Sequence, residues 1–116
     1  MRKITKEAIS AFLSCKPFRE GNDEVRVNLN WCGLYLHGNL IAEKRGKEIT
    51  ICDCGWQTST TKERLNGLLS ELGHKKIYQN DFSWFLEFQG TIHRIESDTQ
   101  YIIVNADGNL CFEKRF

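Results

Sequence analysis

The chain is predicted to fold as a single α+β domain over residues 1–116, with an antiparallel β-meander and two helices. Three observations predict this class. Two segments place apolar residues at helical spacing, the segments between and after them alternate apolar and polar residues, and short turn-forming sequences join the alternating segments. Hairpin connections without a parallel crossover give the order α-β-β-β-α-β-β-β, with the helices packed on one face of a sheet.

The first predicted helix covers residues 5–14. Thr5 is suited to cap it, and Pro17 should end it, because proline disfavours helical backbone in the residue before it. One face of this helix carries its apolar residues, Ala8, Ile9, Phe12 and Leu13. The polar segment 19–24 that follows is predicted to be a loop.

The apolar period then changes to two, which predicts an antiparallel meander of three or four strands over residues 25–54. Val25, Val27, Leu29 and Trp31 form the apolar face of the first strand. Turns are predicted where glycine or asparagine makes positive φ angles cheap, at Cys32-Gly33, His37-Gly38-Asn39 and Arg45-Gly46-Lys47.

A second helix is predicted over residues 61–72. Thr60 and Glu63 have the spacing of a capping box, and Gly73 has the position of a C-terminal cap. Its apolar stripe consists of Leu65, Leu68, Leu69 and Leu72.

The last third of the chain returns to strand patterns. Strands are predicted around Ile77 and Tyr78, around Ile92 and Ile95, and at the two arms of a hairpin, 101–104 and 110–112, joined by a turn at 105–108. Between the strands at Tyr78 and Ile92 lies an alternating run whose apolar residues are expected to face the core: Phe82, Trp84, Leu86 and Phe88. Phe85 falls on the opposite face of that strand.

Composition restricts the function classes. Sixteen Lys plus Arg against fifteen Asp plus Glu leave a net charge of +1, which argues against a nucleic-acid binder driven by bulk charge. No apolar run approaches the roughly 18 residues that a transmembrane helix needs, and the first residues lack the apolar block of a signal peptide. Five cysteines, an odd number, indicate free thiols. We therefore expect a cytoplasmic protein without a membrane partner.

Several separated motifs occur in an order that resembles a family of small, uncharacterised bacteriophage-encoded proteins. They are Ala11–Ser14 followed by Lys16-Pro17, the block Leu34–Ala42, the block Gly55–Asn66 and the aromatic strand from Tyr78 to Leu86. The resemblance covers roughly residues 8–88. It implies a phage origin, a shared fold and a place in the host cell cytoplasm, and it transfers no site residues.

Thiol chemistry centred on Cys52 and Cys54 is a lesser alternative. Two cysteines on the same face of a strand are compatible with zinc, but the spacing is Cys-x-Cys rather than Cys-x₂-Cys, and no second close pair exists. No imidazole is placed beside either thiol in the sequence, so a nucleophilic cysteine has little support. We expect no metal, no cofactor and no catalytic residues.

An anion site is conceivable at the start of the second helix, where free backbone N–H groups point outward. The candidate residues are Thr58, Thr60, Thr61, Lys62 and Arg64. They would hold the phosphate of a nucleotide or of a nucleic-acid backbone. The simpler interpretation is that Thr60 caps the helix and its neighbours form turn hydrogen bonds.

The leading hypothesis is a non-enzymatic accessory protein that binds a host or phage macromolecule, most simply a protein, in host takeover or anti-defence. Recognition would use an exposed aromatic patch or an unpaired sheet edge. The candidate interaction residues are Phe85, Trp56 and Tyr101. The alternative is a small nucleic-acid-binding domain that uses the helix start at 58–64. A homodimer could form by pairing of an edge strand at 110–115.

Overall fold

Two helices and ten strands make up the computed structural model of the chain, which describes residues 1–116. In chain order they are α1 (Lys3–Leu13), β1 (Phe18–Glu20), β2 (Asp23–Asn28), β3 (Trp31–Leu36), β4 (Asn39–Arg45), β5 (Glu48–Ile51), α2 (Ser59–Leu72), β6 (Tyr78–Asn80), β7 (Ser83–Phe88), β8 (Thr91–Ile95), β9 (Tyr101–Val104) and β10 (Leu110–Lys114). The predicted α+β class with an antiparallel meander is confirmed.

The strands form two sheets. The large sheet has the order β1-β2-β3-β4-β5-β9-β10 and the small sheet the order β6-β7-β8, with antiparallel pairing throughout. Because β9 pairs with β5, helix α2 and the whole small sheet form an insertion between two neighbouring strands of the large sheet. The spacing of apolar residues within each segment does not predict this pairing between distant strands.

Helix α1 begins two residues earlier than predicted. Arg2 is the N-cap residue and makes no side-chain cap bond, so the prediction that Thr5 caps the helix is wrong. Thr5 is instead buried within α1, and its hydroxyl donates to a Glu63 carboxylate oxygen at 2.6 Å. This threonine joins the two helices rather than ending one.

The hairpin of β2 and β3 corrects the predicted turn at Cys32-Gly33, which lies inside β3. The turn lies three residues earlier, at Leu29 and Asn30, since Asn28 pairs with Trp31. Gly33 is required for another reason: a Cβ atom there would lie 2.5 Å from Cη2 of Trp31, whose ring covers the glycine. The predicted loop at 19–24 is also wrong, because it contains the last two residues of β1 and the first two residues of β2.

Helix α2 begins at Ser59, two residues before the predicted start. Thr58 is its N-cap, because the Thr61 N–H donates to Oγ1 of Thr58 at 3.2 Å, so the predicted capping box of Thr60 and Glu63 is wrong. The predicted end at residue 72 is confirmed, with Gly73 in the left-handed conformation at φ 91°. Glu63 instead accepts a hydrogen bond from Thr5 of α1 at 2.6 Å.

One apolar core joins both helices to both sheets. It contains the expected leucines of α2 and the inward side chains of β7, including Leu65, Leu68, Leu69, Trp84 and Leu86. Gly67 permits the close contact of α1 and α2, since a Cβ there would lie 2.5 Å from Cδ1 of Ile9. Neither helix combines the length and the apolar character needed to cross a membrane.

Candidate functional site

The small sheet presents an open outer face on the side away from the core. Along β7 the inward residues Trp84 and Leu86 are buried, so Phe85 between them points outward. Strand register places Tyr78 of β6 and Arg94 of β8 directly opposite Phe85. We define the outer face as the residues Tyr78, Phe85, Glu87, Ile92 and Arg94.

Two aromatic rings lie at the centre of the outer face. Tyr78 and Phe85 stack with their ring centroids 5.8 Å apart and an angle of 27° between the ring planes. Tyr78 and Ile92 are exposed and Phe85 is half-buried. Tyrosine, phenylalanine and arginine are enriched in the cores of protein interfaces, so the composition of this face is typical of a contact surface.

Two glutamates, Glu87 on the outer face and Glu96 just after β8, take part in ion pairs. Lys75 donates to the Glu87 carboxylate, and Lys114 donates to that of Glu96 at 2.6 Å. The bond from Lys114 also lowers the pKa of Glu96. Arg94 forms no ion pair within the chain. The outer face therefore keeps one unneutralised guanidinium beside two aromatic rings.

One side chain from α2 and one from β9 form hydrogen bonds with the backbone beside the two outer strands of the small sheet, β6 and β8. Beside β6, the amide of Asn66 accepts from the Ile77 N–H at 2.6 Å and donates to the Ile77 carbonyl at 3.1 Å. Beside β8, the hydroxyl of Tyr101 donates to the Arg94 carbonyl at 3.4 Å and accepts from the Glu96 N–H at 3.0 Å. These bonds hold the outer strands of the small sheet against α2 and β9.

Phe82 does not belong to the core-facing set of β7, and that prediction is wrong. Asn80 pairs with Ser83, so Asp81 and Phe82 form a two-residue turn between β6 and β7. The ring of Phe82 is 92% exposed. The alternating pattern of 82–88 concealed this, although the polar pair before Phe82 is a turn signal.

The three predicted interaction aromatics have different environments. Phe85 lies on the outer face, and Trp56 is 58% exposed beside a hollow of about 390 Å³ that His37 and the threonines at 58, 60 and 61 also line. Tyr101 is only 5% exposed, because its ring stacks on Phe112 at 4.8 Å. Tyr101 is therefore not a surface aromatic, which corrects its prediction as an interaction residue.

The residues predicted to bind an anion do not converge. Arg64 points into the interior, where its Nε and Nη2 atoms donate to the Asp23 carboxylate at 2.6 and 3.1 Å and its Nη1 atom donates to Thr5 at 2.8 Å. Arg64 is buried, so the prediction that it binds an external phosphate is wrong.

The remaining members of that set are partly used within the fold. Thr58 caps the helix, Thr61 is buried, and Lys62 reaches Gln79 of β6 at 3.5 Å. Burial opposes the ionisation of Glu63, but hydrogen bonds from Thr5 and Arg64 outweigh it and hold the pKa of Glu63 below its usual value. The start of α2 thus serves mainly to join the helices to β2.

Cys52 and Cys54 lie next to each other but in a setting that suppresses thiolate formation. The Cys54 thiol donates to the Leu40 carbonyl at 2.9 Å, and the Cys54 N–H donates to Sγ of Cys52 at 3.3 Å. Burial raises the pKa of Cys54 to about 12. No group of three or more His, Cys, Asp or Glu side chains converges as a metal site would require. Asp53 separates the two cysteines in the sequence, and its carboxylate accepts hydrogen bonds that order the surrounding loop.

Thiol reactivity provides a direct check of this environment. At pH 7.5 we expect Ellman's reagent to react rapidly with one thiol, that of Cys15, because Cys15 is exposed whereas burial raises the pKa of the other four thiols, to about 12 for Cys32 and Cys54. The others should react after unfolding in guanidinium. The Cys15→Ser variant is the control and should lose the rapid phase, and a rapid phase that persists in it would contradict the assignment.

Comparison with known proteins identifies the family. The family model described as Kyanoviridae Gp96 protein matches residues 1–108. The chain belongs to this family. The match confirms the resemblance to small phage proteins, and it includes both helices and every strand of the small sheet. No curated protein and no solved structure matches the chain.

Proposed function

We propose that this member of the Kyanoviridae Gp96 family is a non-enzymatic accessory protein that binds another protein, of the host or of the phage, through the outer face. The observation that carries the proposal is the solvent-facing Tyr78–Phe85 pair with Arg94 beside it. Aromatic rings next to an arginine supply large contact area and directional hydrogen bonding, and residues of these types dominate binding energy in interfaces.

The charge arrangement favours a protein partner over nucleic acid. Binding of a phosphate backbone draws on several cations along one surface. On the outer face Arg94 is the one cation, Glu87 is an acid within the same surface, and Lys75 is already paired with Glu87. The alternative at the start of α2 loses its strongest cation, since Arg64 is buried against Asp23.

Side-chain recognition is also better supported than strand addition. The outermost strands of the large sheet are β1, which has three residues, and β10, whose pairing with β9 is irregular between Leu110 and Glu113. Short length, register irregularities and charged side chains all reduce the tendency of an edge to pair with another chain. A homodimer through 110–115 is therefore disfavoured relative to contacts made by the outer face.

In the infected cell such a protein would act by occupying a surface of its partner, in host takeover or anti-defence. This role needs no bound metal or cofactor. The proposed role requires that the protein and its partner are both in the host cytoplasm.

Affinity capture from infected and uninfected host lysates tests the proposal. The wild-type protein should retain one reproducible protein, and the double variant Tyr78→Ser/Phe85→Ser should retain about tenfold less of it or lower, since central aromatic residues carry most of the binding energy. The control is Tyr35→Ser, which removes a half-buried tyrosine on the large sheet, 4.1 Å below the Arg26 guanidinium.

Circular dichroism should show all three proteins folded. Equal capture by the double variant, or the absence of any reproducible partner in both lysates, would contradict the proposal. Retention that a nuclease abolishes would assign the surface to nucleic acid instead.

A further inference from the structure

Three turns in the molecule share positive φ angles at both residues, and two of them have glycine at the second position. His37–Gly38, Asp81–Phe82 and Gln89–Gly90 are two-residue turns between paired antiparallel strands, and both residues of each have positive φ. Their φ angles are 52° and 79°, 50° and 65°, and 50° and 79°, respectively. Turns of this type favour glycine at the second position. Phe82 stands where the other two turns have glycine.

Nothing within the fold accounts for phenylalanine at this position. A bulky side chain is a conformational outlier at a φ of 65°, whereas glycine adopts this conformation freely. The ring is also 92% exposed, so it contributes almost no burial to the core. Strained positions that the fold itself does not require are concentrated at functional sites, and both unfavourable features here belong to one side chain.

We infer that Phe82 is an anchor residue that inserts into a preformed apolar pocket on the partner protein; this inference rests on the proposed function. Phe82 is three residues from Phe85, and its turn joins the two strands that carry the stacked pair. One partner that covers the outer face would therefore reach the turn as well. A single ring at the tip of a turn fits a pocket better than a flat surface.

The charge of the turn supports a protein pocket over a nucleic acid or an anionic lipid surface. The four residues Asn80 to Ser83 carry one charge, the Asp81 carboxylate. A carboxylate next to the ring repels the phosphates of nucleic acids and of anionic lipids. It would be matched by a cationic or N–H donor group at the rim of the partner's pocket.

Site-specific photo-crosslinking tests the inference. The photoreactive analogue p-benzoyl-L-phenylalanine is placed at position 82, and the matched control carries it at position 89, in the equivalent turn between β7 and β8. After irradiation of infected cells we expect one protein adduct from position 82, about tenfold or more above that from position 89. An adduct of twice the chain mass, a nuclease-sensitive adduct, a lipid adduct or equal labelling from both positions would overturn the inference.

The substitution Phe82→Gly separates anchoring from folding. We expect an unchanged or higher Tm, because glycine relieves the positive φ, together with about a tenfold or greater loss of partner capture. A lower Tm, or capture equal to that of wild type, would overturn the inference. If Tyr78→Ser/Phe85→Ser loses the partner and Phe82→Gly keeps it, the proposed function stands without this anchor; if all variants keep it, the proposed function itself fails.

Discussion

Asp23→Ala is expected to lower the free energy of unfolding by about 3–5 kcal/mol, because it leaves the guanidinium of Arg64 buried without its main carboxylate partner. The side chains of Asp23 and Arg64 are 1% and 4% exposed, and they share two hydrogen bonds. A domain of this size is stable by only about 5–15 kcal/mol, so this loss is a large share of the total.

Urea unfolding followed by circular dichroism measures this effect. The control is Glu24→Ala, which removes the neighbouring but solvent-exposed ion pair with Arg26 and should leave the transition midpoint nearly unchanged. The double variant Asp23→Leu/Arg64→Leu should be less destabilised than Asp23→Ala, since neither charge of the pair remains and the part-buried Glu63 carboxylate keeps its hydrogen bond from Thr5. A loss below about 1 kcal/mol in Asp23→Ala would show that the pair is hydrated in solution.

Trp84→Ala is expected to cost about 3–5 kcal/mol, because it removes the largest fully buried side chain and leaves a cavity between the small sheet and the rest of the core. Trp84 is 1% exposed and belongs to the same buried cluster as the leucines of α2. The small sheet should loosen first, since β7 is its central strand.

The matched control for this effect is Trp56→Ala, which deletes the same side chain from an exposed position. It should change stability by no more than about 0.5 kcal/mol. Thermal and urea unfolding of the two variants provide the comparison. If both tryptophans cost the same, the assignment of Trp84 to a dry interior is refuted, and with it the view that the outer face is the free side of the small sheet.

Several features could be read directly from local sequence. The leucine stripe at 65–72 predicted the apolar face of α2 and its end at Gly73, and the alternation of Trp84 and Leu86 predicted the inward side of β7. These features depend on residues two to four positions apart, where helix and strand geometry alone decides which side chains share a face. The same alternation placed Phe85 on the opposite face, where the structure has it.

Other features depend on residues far apart in the chain. Arg64 looked like part of an anion site until the fold brought Asp23, 41 positions earlier, against its guanidinium. Tyr101 looked like a surface aromatic until the pairing of β9 with β5 and β10 placed its ring against Phe112. Neither contact has a signature in the neighbouring sequence.

Short-range periodicity accounts for the α+β class, the positions of most elements and the inward faces of α2 and β7, because residues close together in the chain define these features. The insertion of the small sheet, the internal position of Arg64 and the exposed position of Phe82 at a turn are visible only in the folded chain. Those outcomes follow from long-range strand register and helix packing, which select among side chains that local patterns leave equivalent.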